Sequence, residues 1–405
     1  MAVFKLERLF MEWQTATAKE NNEYKIPERW LHLHYYEALN ILFRFENSLR
    51  VFVYAVLKNK YYEQWKTQTF NTGDSQQKSI QNLAAKRISQ AENFGYLGYD
   101  VKCPIMHLTS GELIELLTSD NYWPLFKSHF RGNKEIIKNK LLEIGSIRNS
   151  LAHFRPIKSD DVEIIKQNAK HTLIEIEKCL DNIFNQEQKV PTNSTFSWYK
   201  KISTLGNTFV TTNPLISKDE KWINLQLIFR SPMLEKNKYG DTYVAYKIAK
   251  LITPNIARDF TDLSSLVTYI SESIRYPGIN QDHDIHIRKI VNIVLSEQAL
   301  RENSEAILMG IENIISKISE ESELLIQDNL AKGTLLETAS CSAHRLETGD
   351  RKYWKFEYNN LKRSYQPDDP DEYWGDFFSN EHDIVAGSTI YPWMSSEISK
   401  EEFPF

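Results

Sequence analysis

Cysteine is scarce in this chain, and what there is follows no familiar framework. Cys103, Cys179 and Cys341 stand far apart and are odd in number. They make neither a disulfide scaffold nor a zinc-ligand spacing, and a reducing cytoplasmic setting is expected. Long apolar runs are missing as well. The longest wholly apolar run in the most hydrophobic region is Val51 to Leu57, far below the roughly 20 residues of a membrane helix. The stretch MAVFKLERLFMEW has no long apolar core and no cleavage signature. A soluble protein with no membrane partner is therefore expected. No Gly-rich phosphate loop, Gly-x-Ser-x-Gly elbow or zinc signature occurs, so nucleotide-loop, hydrolase-elbow and zinc-finger chemistries have no foothold. Neither sign of charge dominates: 49 Lys and Arg against 54 Asp and Glu give −5. Any nucleic-acid surface must be local.

What the chain does have is apolar and aromatic mass. A hydrophobic fraction of 41 % with 20 Phe, 20 Tyr and 9 Trp is ample for packed cores. At 405 residues, two or three domains are expected. From Glu28 to Lys58 there is no Gly or Pro, and the apolar residues cover more than one helical face. That pattern predicts a helix buried on several sides, as at the centre of a bundle. The polar stretch from Thr67 to Gln81 reads as a loop running into another helix. Thr109 and Glu112 form a Thr-x-x-Glu capping box ahead of an apolar run. Asn133 is placed to start a helix carrying Ile136, Ile137, Leu141, Ile144, Ile147 and Leu151, with Pro156 as its stop. A last helix is expected from Asp160 to Phe184. His171, midway along it, is read as structural or solvent-facing.

The chemistry-bearing stretch is Glu143 to Pro156, EIGSIRNSLAHFRP, centred on Arg148, Asn149 and His153. A guanidinium is permanently charged and forks onto phosphate. An imidazole exchanges a proton near neutral pH. His153 falls near a helix C-terminus, where the partial negative charge suits a cation. Five residues apart, the two side chains project about 140° from one another on a continuous helix, so they flank a groove rather than share a stripe. From Leu125 to Lys158 there are eight Lys or Arg against Glu135 and Glu143. A solvated basic face is the usual meaning of such a run, but here it surrounds the catalytic-looking pair. Lys138, Lys140, Arg155 and Lys158 are accordingly candidates for RNA contact. Glu46 and Arg50 are i and i+4, so an intrahelical ion pair is the plain explanation. The alternative is that Glu46 or Asn47 faces the Arg148/His153 rim and positions it.

An Arg-Asn-x-x-Ala-His motif ending the penultimate helix of a bundle, followed by Pro and one long closing helix, resembles the HEPN superfamily. HLTSGELIELLTSDNYWPLFKSHF and FENSLRVFV have the look of bacterial members. The resemblance covers roughly residues 28–186, under half the chain. It implies a metal-independent endoribonuclease of toxin, abortive-infection or other defence systems, with no cofactor, acting on RNA as a homodimer with the motif paired across the interface. It carries over Arg148 and His153 as the active pair and Asn149 as a polar accessory. An antitoxin or trigger protein is the further partner it suggests.

Between Asn185 and Thr195 the helical pattern stops. Strand-like alternation follows in WINLQLIFR and YWKFEY, with a helical stretch from Glu302 to Leu330 between them. The expected architecture is an N-terminal all-α HEPN-like bundle over 28–186, preceded by an extension over 1–27. An α+β domain over 195–405 follows, acting as sensor or substrate selector. His283 and His286 have metal-friendly side chains, but no third ligand group is evident and no metal is assigned. Gln366 to Asp383 carries seven acids and no Lys or Arg and reads as a solvated tail. A sharper alternative is that it imitates nucleic acid and shields the basic surface around Arg148. The competing functional reading is a non-catalytic helical RNA- or protein-binding module in which Arg148 and His153 are structural.

Overall fold

The computed structural model describes residues 18–20, 23–25, 33–72, 76–93, 101–191, 194–279, 285–348, 351–358, 361–377 and 391–394. After a short pair, β1 (Ala18–Glu20) and β2 (Glu23–Lys25), the chain enters α1 (Leu33–Tyr61). Residues 51–55 of α1 are all buried, so the helix runs through the middle of the molecule rather than along its surface. The expected start at Pro27 lies outside the described residues. A 3-10 turn (Tyr62–Thr67) leads into a hairpin, β3 (Thr69–Thr72) and β4 (Gln76–Ser79), where a loop was expected, and then α2 (Ile80–Asn93). Phe70 is the one apolar residue of the two strands and is buried in the core, so a single apolar position among polar ones gives no alternation to read.

The short helix α3 (Ser110–Thr118) opens on the expected box. Thr109 Oγ1 accepts from Glu112 N at 3.2 Å, and a Glu112 carboxylate oxygen accepts from Thr109 N at 2.8 Å. After α4 (Trp123–Phe126), α5 (Lys134–Ala152) starts where Asn133 Oδ1 accepts from Ile136 N at 2.9 Å. The closing helix α6 (Ser159–Phe184) buries Val162, Ile165, Leu173, Ile176 and Leu180. It packs along α1 and against α5, and α5 in turn packs on α3. His171 is exposed on α6.

The second part is sheet-rich, with helices. In order it contains β5 (Gln188–Lys189), α7 (Ser197–Ile202), β6 (Val210–Ile216), β7 (Trp222–Arg230), β8 (Met233–Tyr239) and β9 (Tyr243–Leu251). Two short helices, α8 (Thr253–Asp259) and α9 (Thr261–Leu266), precede β10 (Tyr269–Ile279) and β11 (Ile285–Ser296). Then come α10 (Glu297–Glu302), α11 (Ser304–Gln327), β12 (Leu336–Thr348) and β13 (Arg351–Glu357). One antiparallel sheet has the order β10-β11-β7-β6-β5, the other β13-β12-β9-β8. The 3-4 spaced residues Leu308, Ile311, Ile315 and Ile318 of α11 are buried within the chain, together with Ile307 and Ile314. His286 lies at the start of strand β11 rather than on a helix; His283 and the His286 side chain lie outside the described residues.

The change from helix to sheet falls at the expected 185–195 boundary, yet one hydrophobic core crosses it. Tyr54 of α1 donates its hydroxyl to Thr268 O at 2.8 Å, and Tyr269 donates to Ile183 O at 3.0 Å. The Tyr54 ring meets Trp65 and Trp393 edge-on at 5.0 and 4.9 Å, and Tyr269 stacks on Trp374 at 4.0 Å.

The described part of the acidic segment is not solvated, which corrects the expectation from its composition. Tyr373 and Trp374 are buried among the acids. Main-chain bonds from Ile270 N to Glu372 O (2.6 Å), Trp374 N to Ile270 O (2.8 Å) and Glu272 N to Gly375 O (2.8 Å) lay this segment along the outer edge of β10, covering an otherwise unpaired strand. Glu372 meets Lys58 at 2.6 Å and Asp371 meets Lys66 at 2.5 Å. The acids at 371 and 372 thus neutralise cations near the end of α1, not the surface around Arg148. Residues 378–383 of that stretch lie outside the described ones. Among the described residues no helix is long and apolar enough to cross a membrane, and the three cysteines are free thiols.

Candidate functional site

The site is built where the end of α5 crosses α1. Leu141, Ile144 and Leu151 pin one face of α5 into the core, which leaves Arg148 at the margin of that buried stripe. Its Nε donates to Glu46 Oε1 of α1 at 3.2 Å. The same carboxylate oxygen accepts from the Ser110 hydroxyl at the start of α3, and its second oxygen accepts from Arg50 Nη2 at 2.9 Å. Glu46 is therefore both the intrahelical partner of Arg50 and a partner of Arg148. One carboxylate joins α1, α3 and α5.

Asn47 does not meet Arg148. It is buried, donates to Phe43 O at 2.9 Å and accepts from Arg50 Nη1 at 3.2 Å. Arg50 reaches the Leu108 carbonyl at 3.4 Å, while its Nε has no partner among the described residues. Burial draws the Arg50 pKa down from its ordinary value, against the pull of Glu46 and assisted by repulsion from Arg148. The centre of the cluster is thus a desolvated guanidinium–carboxylate pair, with Arg148 on its outer side. The Arg148 side chain is 38 % exposed against 12 % for Arg50. Only its Nε is engaged, and neither terminal amino group has a partner among the described residues. Such a fork presents two parallel donors to an anion.

His153 is the C-cap of α5. It is exposed, and its ring makes no hydrogen bond among the described residues. The helix is stopped by backbone geometry one residue before the expected proline could act. Phe154 sits at φ 55°, its N–H bonding Leu151 O at 2.9 Å, and Arg155 N bonds Ser150 O at 2.9 Å. That is a Schellman closure with phenylalanine where glycine is usual. A residue with a Cβ in this conformation costs about 1–2 kcal/mol, and the Phe154 ring, 86 % exposed, regains little of it by burial. The Leu151 carbonyl also accepts from the Tyr35 hydroxyl of α1. The end of α5 is thereby held at two points, by Glu46 on Arg148 and by Tyr35 on Leu151.

The other expected residues are placed as follows. Asn149 is exposed with no side-chain hydrogen bond among the described residues, its carbonyl taking the His153 N–H at 3.2 Å. Half of the basic run is paired: Arg131 with Glu175, Lys134 with Asp120, Lys138 with Glu115 at 3.3 Å, and Arg148 with Glu46. Lys140, Arg155 and Lys158 have no side-chain ion pair among the described residues. Arg155 and Lys158 are exposed beyond the end of α5, and Lys140 is half-buried on it. Lys127, exposed before α5, likewise has no ion pair among the described residues, so two of the four unpaired cations lie beyond His153. Ser110, Tyr35 and Phe154 are the contributors that sequence reasoning missed. Ser110 follows a recognised cap and Phe154 follows the motif, but nothing in their identity announces a contact. Among the described residues no three His, Cys, Asp or Glu gather as a metal would require. No family model, curated protein or solved structure matches the chain.

Proposed function

We propose that the chain is a metal-independent endoribonuclease of the HEPN type, with Arg148 and His153 as its working pair. The observation that carries this reading is the state of the two side chains. A carboxylate holds Arg148 by Nε, leaving its fork free, and His153 stands unengaged at the end of the same helix. Free cations at Arg155 and Lys158 extend the same rim.

In this reading a ribose 2′-oxygen attacks the adjacent phosphate. The O2′–P bond forms as the P–O5′ bond breaks, leaving a 2′,3′-cyclic phosphate and a 5′-hydroxyl. His153 takes the 2′ proton or gives one to the leaving 5′-oxygen, and Arg148 stabilises the charge gathering on the phosphoryl oxygens. A second copy of the chain, as a homodimer, supplies the opposite proton transfer through its own His153. Single-stranded or loop RNA is the substrate class, because its backbone can bend in line for attack. Defence or toxin action belongs to the same proposal.

The test is cleavage of labelled RNA in excess EDTA by wild type, Arg148→Ala and His153→Ala. Chelator-resistant cutting that leaves cyclic phosphate ends, and that both substitutions abolish, is expected. A second reading rests on one specific contact: the Arg148–Glu46 pair also clamps α5 to α1, as a purely structural pair in a binding module would. In that case wild type does not cut, and Arg148→Ala lowers the melting temperature instead.

A further inference from the structure

The four-stranded sheet has two unlike faces. On one, Val244, Tyr246, Ile248 and Ala343 are buried against Ile287. The other is open, and strand register arranges it in rows. The first is aromatic: Tyr239 of β8 lies opposite Tyr243 of β9, and Tyr243 opposite His344 of β12. Their ring centroids are 5.6 and 4.6 Å apart. The second is short-chained at its centre, with Ala245 opposite Ser342, and ends on Asn237 and Glu357. The third runs from Glu235 through Lys247 to Ser340. Between the tyrosines and the lysine the short side chains leave a groove of ≈ 500 Å³.

We infer that this face binds single-stranded RNA, seating an unpaired base on the Tyr243 platform. The inference rests on RNA being the ligand of the chain, as proposed above. Three features select that occupant. A row of three rings, spanning about two strand spacings of 4.8 Å, offers platforms for successive bases, and base stacking tolerates any sequence. Asn237, Ser342 and Glu357 place donors and acceptors beside the floor, where the edge of a stacked base would lie. They now make only local bonds to spare: Asn237 donates to Glu235 at 2.7 Å and Ser342 to Glu357 at 3.4 Å. The open face also brings two cations to the groove, Lys247 and Lys355, beside the carboxylates Glu235 and Glu357. Lys247 flanks the groove, its nearest partner Asn329 at 3.5 Å, and Lys355, opposite His344, is exposed at the far end of the aromatic row.

The experiment is fluorescence anisotropy of a labelled single-stranded RNA decamer in EDTA, using the full chain with His153→Ala so that the probe survives. Tyr243→Ala is expected to weaken binding between about 5- and 150-fold, and Tyr243→Phe to keep it within about threefold. Lys247→Gln should lower the slope of log affinity against log salt by about 0.7, a readout that a folding defect would not produce. Melting curves check each variant. Unchanged affinity in Tyr243→Ala and an unchanged slope in Lys247→Gln overturn the assignment. So does Tyr243-dependent binding of cellopentaose with none of RNA, which makes the face a carbohydrate site. Cleavage by the parent chain is scored separately. Cutting without any Tyr243 effect removes this site and keeps the nuclease; Tyr243-dependent binding without cutting does the reverse.

Discussion

Glu46→Gln isolates what holds Arg148. Glu46 uses one oxygen for Arg148 Nε and Ser110 and the other for Arg50 Nη2. Glutamine offers a single oxygen of the same reach, so one guanidinium must face an amide N–H instead. Arg50 is the more buried of the two, and an unpaired buried cation is the costlier outcome. The remaining oxygen therefore stays with Arg50, and Arg148 loses its anchor. Water can replace a bond at a site this exposed, so the stability loss is modest, about 1–3 kcal/mol for the charge-assisted bonds given up. The kinetic loss is larger in proportion. A fork displaced by about an ångström costs on the order of 100-fold in a reaction that depends on its placement. It should fall on kcat rather than KM, because the charge Arg148 meets develops only in the transition state. Single-turnover and steady-state cleavage of a labelled RNA, alongside urea titration, measures both effects. Wild-type kcat in Glu46→Gln, with Arg148→Ala inactive, would refute the reasoning: Arg148 would then be oriented by something other than Glu46.

Three further outcomes follow from the same contacts. Lys58→Met strands the Glu372 carboxylate beside α1 and should destabilise the protein by about 3–5 kcal/mol; Lys58→Met with Glu372→Leu should recover most of that in urea titration, and an equal loss in both shows that the pair is not the determinant. Phe154→Gly relieves the φ 55° strain without losing a buried ring; net of glycine's larger unfolded-state entropy, a gain of up to about 1 kcal/mol is expected, and a loss means that the ring is packed in the working assembly. Glu321 is buried on α11, which opposes its charge, yet the N–H groups of Thr334, Leu335 and Leu336 outweigh that and hold its pKa below 4.5. A depressed carboxylate stabilises the fold above its unfolded-state pKa and loses that contribution as pH falls through the lower, folded one. Thermal melts should therefore fall less steeply below about pH 4.5 in Glu321→Gln than in wild type.

How much of this was legible from sequence depended on whether the deciding interaction was local. The box at Thr109 and Glu112 and the cap at Asn133 each involve residues three apart, and both are formed as read. The apolar residues on more than one face of α1 likewise announced a central helix, which holds for the buried run 51–55 but not for Leu39 and Phe43, which are exposed. The end of α5 was located within a residue or two, but its cause was not: proline is a visible stop, whereas a phenylalanine at positive φ has no compositional sign. The hairpin at 69–79 was missed because its strands bury one apolar side chain, Phe70, and so show no alternation. The acidic segment was misread for the converse reason. Asp371 and Glu372 look solvated until Lys66 and Lys58, some three hundred residues earlier, are placed against them. At the site, the Glu46–Arg50 pair and the Glu46–Arg148 contact were weighed as alternatives, and one carboxylate makes both.

These long-range contacts bear on how the two parts of the chain can communicate. Were they separate domains joined near 185–195, the helical part could be produced alone and its activity compared with the whole. The shared core argues otherwise. Severing it would expose Tyr54, Trp65 and Ile183, each fully buried, at about 1.5–3 kcal/mol for each large apolar side chain. It would also leave Lys58 without Glu372, about 3–5 kcal/mol more. Together these rival the roughly 5–15 kcal/mol by which a folded protein is stable at all. Residues 33–191 expressed alone are therefore expected to lack fixed tertiary packing, with helical far-ultraviolet and flat near-ultraviolet circular dichroism. Any signal received on the sheets would reach α1, and through Glu46 the Arg148 fork, by way of a packed interface rather than a hinge. A fragment that unfolds cooperatively with native near-ultraviolet structure would overturn this coupling and restore two independent domains.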